Sequence, residues 1–130
     1  MTKEETLQIA VADYIRLQYP RVLFCHIANE RKAHVYRKMN GKSYSPNGQK
    51  LKKMGVQAGM PDVMVFYQRE LVMDGINGTY SGVAIELKVK PNKPTEKQLD
   101  VLKKLHHQGW LTAVCYTFDE AKEVIDKYLG

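Results

Sequence analysis

The chain has 130 residues, enough for one domain with a real core but too few for a second, so we expect a single domain over residues 1–130. No apolar run approaches the roughly 20 residues of a membrane span, and acidic residues lie near the start where a secretory signal would be basic, which predicts a soluble protein without a membrane partner. The two cysteines, Cys25 and Cys115, lie in apolar strand-like runs, which favours reduced core thiols and a cytoplasmic location over a disulfide scaffold or zinc site.

The net charge of +6 is concentrated in one segment. Residues 28–53 hold eight basic side chains against one acidic one, a balance of +7, while the rest of the chain sums to −1. Such a segment favours contact with a phosphate backbone, although basic loops are often merely solvated. The candidate nucleic-acid contacts are Asn29, Arg31, Lys32, Arg37, Lys38, Lys50, Lys52 and Lys53, with Lys42 in the same segment.

The chain begins with a predicted amphipathic helix. Thr2 and Glu5 have the spacing of a capping box, apolar residues then recur at helical spacing, and Tyr19-Pro20 ends the element. The short apolar run 22–27 predicts a first strand that leads into the basic segment.

Two further strands are predicted around an interval with strong reversal signals. Asp62 opens the apolar run 63–67, and Glu86 and Lys88 lie two apart in the run 83–89, so alternation puts both on one face. The interval 68–82 contains Asp74-Gly75 and Asn77-Gly78, which predicts that the two strands are antiparallel neighbours. This pairing would bring the two carboxylates together.

The last part of the chain predicts a helix, a strand and a helix. Thr95 and Gln98 have capping-box spacing and Gly109 closes that helix. The apolar run 110–116 predicts a buried strand, and Thr117 caps the final helix. The order is α-β-β-β-α-β-α, which predicts an α/β fold.

Asp62, Glu86 and Lys88 are the residue types that phosphodiester hydrolysis requires. Carboxylate oxygens suit Mg²⁺ or Mn²⁺, and an ammonium group can stabilise or help to deprotonate the attacking water. Each of the two motifs also has a purely structural explanation. Pro-Asp often starts a turn, and charged residues alternate on the outward face of any half-buried strand.

The ordered set of motifs resembles the PD-(D/E)xK nuclease superfamily and, more closely, a stand-alone VRR-NUC domain. The residues that carry this resemblance span almost the whole chain: Glu4 with Gln8, the run 55–62 that ends in Pro61-Asp62, Glu86-Leu87-Lys88, Thr95 to Gln98, Leu105 and Gly109-Trp110. The resemblance implies the family's α-β-β-β-α-β core, with a mixed central sheet flanked by helices.

The resemblance also implies roles for six residues. Asp62, Glu86 and the Leu87 carbonyl would bind the metal, and Lys88 would orient or activate water. Glu4 would reach the metal through water, with Gln98 in support. Glu4 also suits a first helical turn, Glu5 could take its role, and Gln98 is explained as a capping residue.

We therefore expect a Mg²⁺- or Mn²⁺-dependent DNA endonuclease. Stand-alone members resemble junction-resolving enzymes, which predicts structure-selective cleavage of four-way junctions by a homodimer in a bacterial or phage-infected cell. A flap, nicking or single-strand nuclease with the same site is an alternative. A non-catalytic DNA-binding accessory protein is a second alternative.

Overall fold

The computed structural model describes residues 1–27, 36–37, 43–44 and 46–130, of which 36–37, 43–44 and 46–47 are described by their backbone alone. In chain order the elements are α1 (Lys3–Gln18), β1 (Leu23–His26), β2 (Tyr36–Arg37), β3 (Ser43–Tyr44), α2 (Pro46–Lys53), β4 (Val63–Phe66), β5 (Arg69–Met73), β6 (Ile76–Tyr80), β7 (Gly82–Leu87), α3 (Glu96–His107), β8 (Trp110–Cys115) and α4 (Phe118–Leu129). None of the described helices is long and apolar enough to cross a bilayer.

Four strands form the central sheet in the order β1-β4-β7-β8. The β1–β4 and β4–β7 pairs are antiparallel, whereas β7 and β8 are parallel and joined through α3. The predicted α/β fold, with a mixed sheet flanked by helices and its elements in the order α-β-β-β-α-β-α, is confirmed by α1, β1, β4, β7, α3, β8 and α4.

The interval between β4 and β7 contains a hairpin that forms its own two-stranded sheet, β5–β6. Asp74 and Gly75 both have positive φ, at 51° and 77°, as a two-residue hairpin turn requires. The prediction that Asn77-Gly78 also marks a reversal was wrong, because Asn77 pairs with Val72 inside the hairpin. The preceding turn had already reversed the chain.

The sheet is covered on both faces. Alternate residues of β4 and β7, among them Val65 and Ile85, pack with α1 and α4 in the larger core cluster. Met64 and Ala84, which face the other way, pack with Leu102 of α3. Because β4 and β7 are central and buried on both faces, their sequences read as continuous apolar runs.

Side chains cap the helices near the cleft described below. Thr95 and Gln98 form the full reciprocal capping box that the sequence predicts. Thr2 accepts a hydrogen bond from the Glu5 N–H at 3.0 Å, which fixes the first turn of α1. Cys25 and Cys115 are free thiols, as expected.

Candidate active site

Asp62 and Glu86 meet where β4 begins and β7 ends. The antiparallel register pairs Val63 with Ile85, so the residues one step further, Asp62 and Glu86, lie opposite each other. The Leu87 N–H donates a hydrogen bond to Asp62 Oδ2 at 2.7 Å, which fixes the carboxylate against the neighbouring strand. Two strands that are far apart in sequence thus place two carboxylates side by side.

These residues line a cleft of about 270 Å³ to which three layers of the fold contribute. The α1 helix provides its first turns, β1, β4 and β7 provide their adjoining ends, and α3 provides its N-terminal turn. The lining residues are Glu4, Glu5, Gln8, Ile9, His26, Asp62, Glu86, Leu87, Lys88 and Gln98.

Glu86 is the unusual residue of the cleft because it is an acid with only 1% of its surface exposed. Burial raises the pKa of the Glu86 carboxyl above its ordinary range, and the hydrogen bond with Asp62, the Asp62 charge and the Glu4 charge raise it further. The Lys88 ammonium, 3.9 Å from Glu86 Oε1, opposes this pKa rise. Lys88 thus compensates only part of the negative charge of the cleft.

The chemistry of this donor set fits a hard divalent cation. Glu86 Oε2 is buried and has no hydrogen-bond partner within the described part of the chain, so it retains a lone pair for a cation. In a strand the N–H and C=O of one residue point to the same side, so the Leu87 carbonyl faces the same side as its bond to Asp62. Across the described ranges no three His, Cys, Asp or Glu side chains are grouped so that they could hold a metal ion by themselves.

The structure brings all six residues of the proposed catalytic and metal-binding set to one cleft. Glu4 contributes to the raised pKa of Glu86, which agrees with a position beside the carboxylate pair, and Glu5 lines the same cleft. Gln98 serves its capping role, since its Oε1 accepts a hydrogen bond from the Thr95 N–H at 2.8 Å. It also forms part of the cleft wall.

The basic segment is described only in part. Lys50, Lys52 and Lys53 lie in the last turn of α2 and are exposed. Arg37 lies in β2 and is described by its backbone alone. Asn29, Arg31, Lys32, Lys38 and Lys42 lie outside the described residues.

Besides Glu5, which was considered as an alternative to Glu4, two polar residues of the cleft were not among the predicted site residues. His26 Nδ1 lies 2.8 Å from the Asp62 carbonyl oxygen, and because a carbonyl can only accept, Nδ1 donates the hydrogen of this bond. Gln8 lies four residues after Glu4, a spacing that puts both on one helix face. That spacing could have identified Gln8, whereas the role of His26 depends on strand pairing.

Comparison with known proteins assigns the family of the chain independently of the site geometry. No curated protein matches the sequence significantly. One solved structure, a VRR_NUC domain protein, superposes with a TM-score of 0.65 at 22% identity, over 99% of this chain and 89% of that chain, and supports the nuclease-like fold. The sequence profile of the VRR-NUC domain matches residues 2–119. The chain therefore belongs to the VRR-NUC domain family, nucleases of the PD-(D/E)xK type that generally use divalent metal ions.

Proposed function

We propose that this chain is a Mg²⁺- or Mn²⁺-dependent endodeoxyribonuclease that is selective for branched DNA and acts on four-way junctions. The observation that carries the hydrolytic part is the buried Glu86 carboxyl beside Asp62, with Lys88 Nζ 3.9 Å from Glu86 Oε1. We also propose that it acts in the cytoplasm of a bacterial or phage-infected cell, which its two free thiols support.

The divalent ion, when bound, would polarise the scissile phosphate and lower the pKa of the attacking water. Asp62 and Glu86 would hold the ion with the Leu87 carbonyl, and Glu4 would support it through water. In the reaction the water oxygen forms a bond to phosphorus, and the bond from phosphorus to one sugar oxygen breaks. The Lys88 ammonium offsets the negative charge that develops on the phosphoryl oxygens.

The basic side chains of α2 support selectivity for DNA structure over base sequence. Lys50, Lys52 and Lys53 are exposed on α2, and a lysine ammonium binds phosphate as a point charge. Phosphate contacts position a duplex but carry no direct sequence information. An enzyme that binds DNA through phosphates recognises the shape of the DNA, because that shape sets the positions of the phosphates.

Comparative cleavage tests this proposal. Labelled four-way junction, flap, duplex and single-stranded DNA are incubated with Mg²⁺, Mn²⁺ or chelator, using wild type, Lys88→Ala and Lys127→Ala as an exposed-lysine control. We expect paired symmetric cuts in the junction, lost with chelator and in Lys88→Ala, whereas Lys127→Ala cuts at the wild-type rate. Lys88→Ala should still bind DNA.

Each other outcome removes a defined part of the proposal. Preferential cutting of a flap, nicked or single-stranded substrate would support the hydrolytic site but show that the four-way junction is not the preferred substrate. Cleavage by Lys88→Ala at the wild-type rate would refute the proposed site. If the protein binds DNA without metal and cuts none of the substrates, only the alternative of a non-catalytic DNA-binding accessory protein would remain.

Two symmetric cuts also imply two copies of the site. A four-way junction has two equivalent cleavage points, so the proposed resolvase would act as a two-fold homodimer. The hairpin β5–β6 offers apolar surface for such a contact, with Val72 64% and Ile76 72% exposed. Analytical ultracentrifugation should show a dimer, alone or on junction DNA. Only monomer under both conditions would contradict the homodimer.

A further inference from the structure

Gln8 is a polar side chain without hydrogen-bond partners in the cleft. Both its Nε2 and Oε1 are shielded from solvent, and neither has a partner within the described ranges. The residue lies on α1 four positions after Glu4 and lines the cleft with Glu4, Glu86 and Lys88. A buried amide without partners costs free energy, so its presence requires an explanation.

The same cleft holds a second buried polar atom that is complementary to Gln8. Glu86 Oε2 is also buried and has no described partner. An amide nitrogen can only donate and a carboxylate oxygen can only accept, so Gln8 Nε2 and Glu86 Oε2 are complementary. The carbonyl Oε1 of Gln8 would then need a donor, and a water held by a cation is a strong donor.

We propose that Gln8 is a positioning residue of the cation site, an inference that rests on the proposed metal-dependent function. With the ion bound, Gln8 Nε2 donates to Glu86 Oε2 and Oε1 accepts a hydrogen bond from water in the ion's hydration shell. Gln8 thereby orients the Glu86 carboxylate without touching the ion. Outer partners of this kind affect metal affinity, and their removal typically weakens it by about 10- to 100-fold.

Replacement by a side chain of similar length separates this role from a purely structural one. Gln8→Met keeps the volume but removes both unpartnered polar atoms. We expect the metal-free protein to melt a few degrees higher, because an unfavourable buried amide has been removed. The Mn²⁺ dissociation constant, measured by titration calorimetry, should rise about 10- to 100-fold.

A second variant adds a charge at position 8, whereas Gln8→Met removes the polar atoms. Gln8→Glu adds a carboxylate beside Glu4 and Glu86, so we expect the metal-free protein to melt lower than wild type at neutral pH. Mn²⁺ should raise the melting temperature of this variant by more than it raises that of wild type. The matched control is Gln18→Met, at an exposed glutamine of the same helix, which should match wild type in both measurements.

The outcomes distinguish this inference from the proposed function. Lower metal-free stability of Gln8→Met with an unchanged Mn²⁺ affinity would make Gln8 a structural residue and overturn the inference. If wild type binds Mn²⁺ and Asp62→Asn does not, the cation site stands whatever Gln8 does. If wild type itself shows neither binding nor thermal stabilisation, the metal-dependent function fails, and the Gln8 inference fails with it.

Discussion

Among single residues, Glu86 shows most directly how the fold produces chemistry. An ionised carboxylate at this buried position costs free energy, and the like charges of Asp62 and Glu4 add to that cost. The raised pKa of Glu86 means that, without a cation, a proton on the carboxylate pair is favoured. A bound divalent ion would replace that proton, so metal binding and deprotonation are linked.

This linkage predicts how the stability of the metal-free protein varies with pH. The pKa of Glu86 is raised in the folded state above its ordinary value of 4.5, so the folded state binds more protons than the unfolded state over the interval between the two values. Its contribution to stability is present below the ordinary pKa and is lost as pH rises toward the folded pKa. In chelator, the free energy of unfolding of wild type relative to Glu86→Gln should fall by about 1.4 kcal/mol per pH unit at most.

Urea unfolding of both proteins in chelator, from pH 5 to pH 8, measures this difference. Parallel pH profiles for wild type and Glu86→Gln would show that Glu86 does not hold the proton. In wild type, Mn²⁺ affinity should increase with pH over the same interval, because the ion must displace that proton.

Between elements, the connection from α2 to β4 depends on close contact with α3. Gly59 has φ of +82°, and a Cβ there would lie 3.0 Å from Lys97 Cγ and 3.1 Å from the Lys97 carbonyl oxygen. Three residues later the chain reaches Asp62. The packing of this loop on the first turn of α3 therefore helps to set the position of a proposed metal ligand.

Gly59→Ala should disrupt this contact, and Gly55→Ala is its matched control. Gly55 also has positive φ, at +101°, but a Cβ there would meet nothing within 4 Å. Both substitutions carry the backbone cost of alanine at positive φ, which destabilises by more than about 1 kcal/mol. Only Gly59→Ala also crowds Lys97 of α3, so it should be the less stable variant by thermal melting and should lose more cleavage. Equal losses in the two variants would contradict a role for the contact with Lys97.

Across the fold, charge is divided between an acidic cleft and a basic segment. The cleft gathers Glu4, Asp62 and Glu86, whereas residues 28–53 carry +7. Nucleic acid would therefore be attracted mainly to the segment, while the cleft repels phosphate until a cation is bound. This separation predicts that DNA binding and DNA cleavage respond differently to mutation.

Combined replacement of Lys50, Lys52 and Lys53 by alanine tests that separation. Each lost phosphate contact should reduce the slope of log affinity against log salt by about 0.9, so three contacts reduce it by about 3. Binding should weaken to a similar extent on every DNA sequence, while Mn²⁺ affinity stays at the wild-type value. Fluorescence anisotropy across a salt series measures the slope. An unchanged slope would exclude these lysines from the DNA-binding surface.

Local sequence patterns predicted most of the helices and strands around the central sheet. Capping residues such as Thr95 and Thr117, helical spacing in α1 and the apolar runs of β4 and β7 all act within a few residues, so the elements follow from their own segments. The hairpin β5–β6 was only partly anticipated, because two adjacent reversal signals competed and only Asp74-Gly75 forms the turn. The α2 helix was not predicted, since its segment is dominated by charge.

By itself the sequence determined the α/β class, the order of the seven core elements and the pairing of Asp62 with Glu86, because strand alternation and reversal signals are local. Only the tertiary structure decided how deeply Glu86 is buried and that His26 binds the Asp62 carbonyl. It also decided that Gln8 and Glu86 Oε2 share a cleft in which neither has a hydrogen-bond partner among the described residues. These features depend on how α1, β1 and α3 pack around the ends of β4 and β7. Burial and hydrogen bonding between distant segments are properties of that packing.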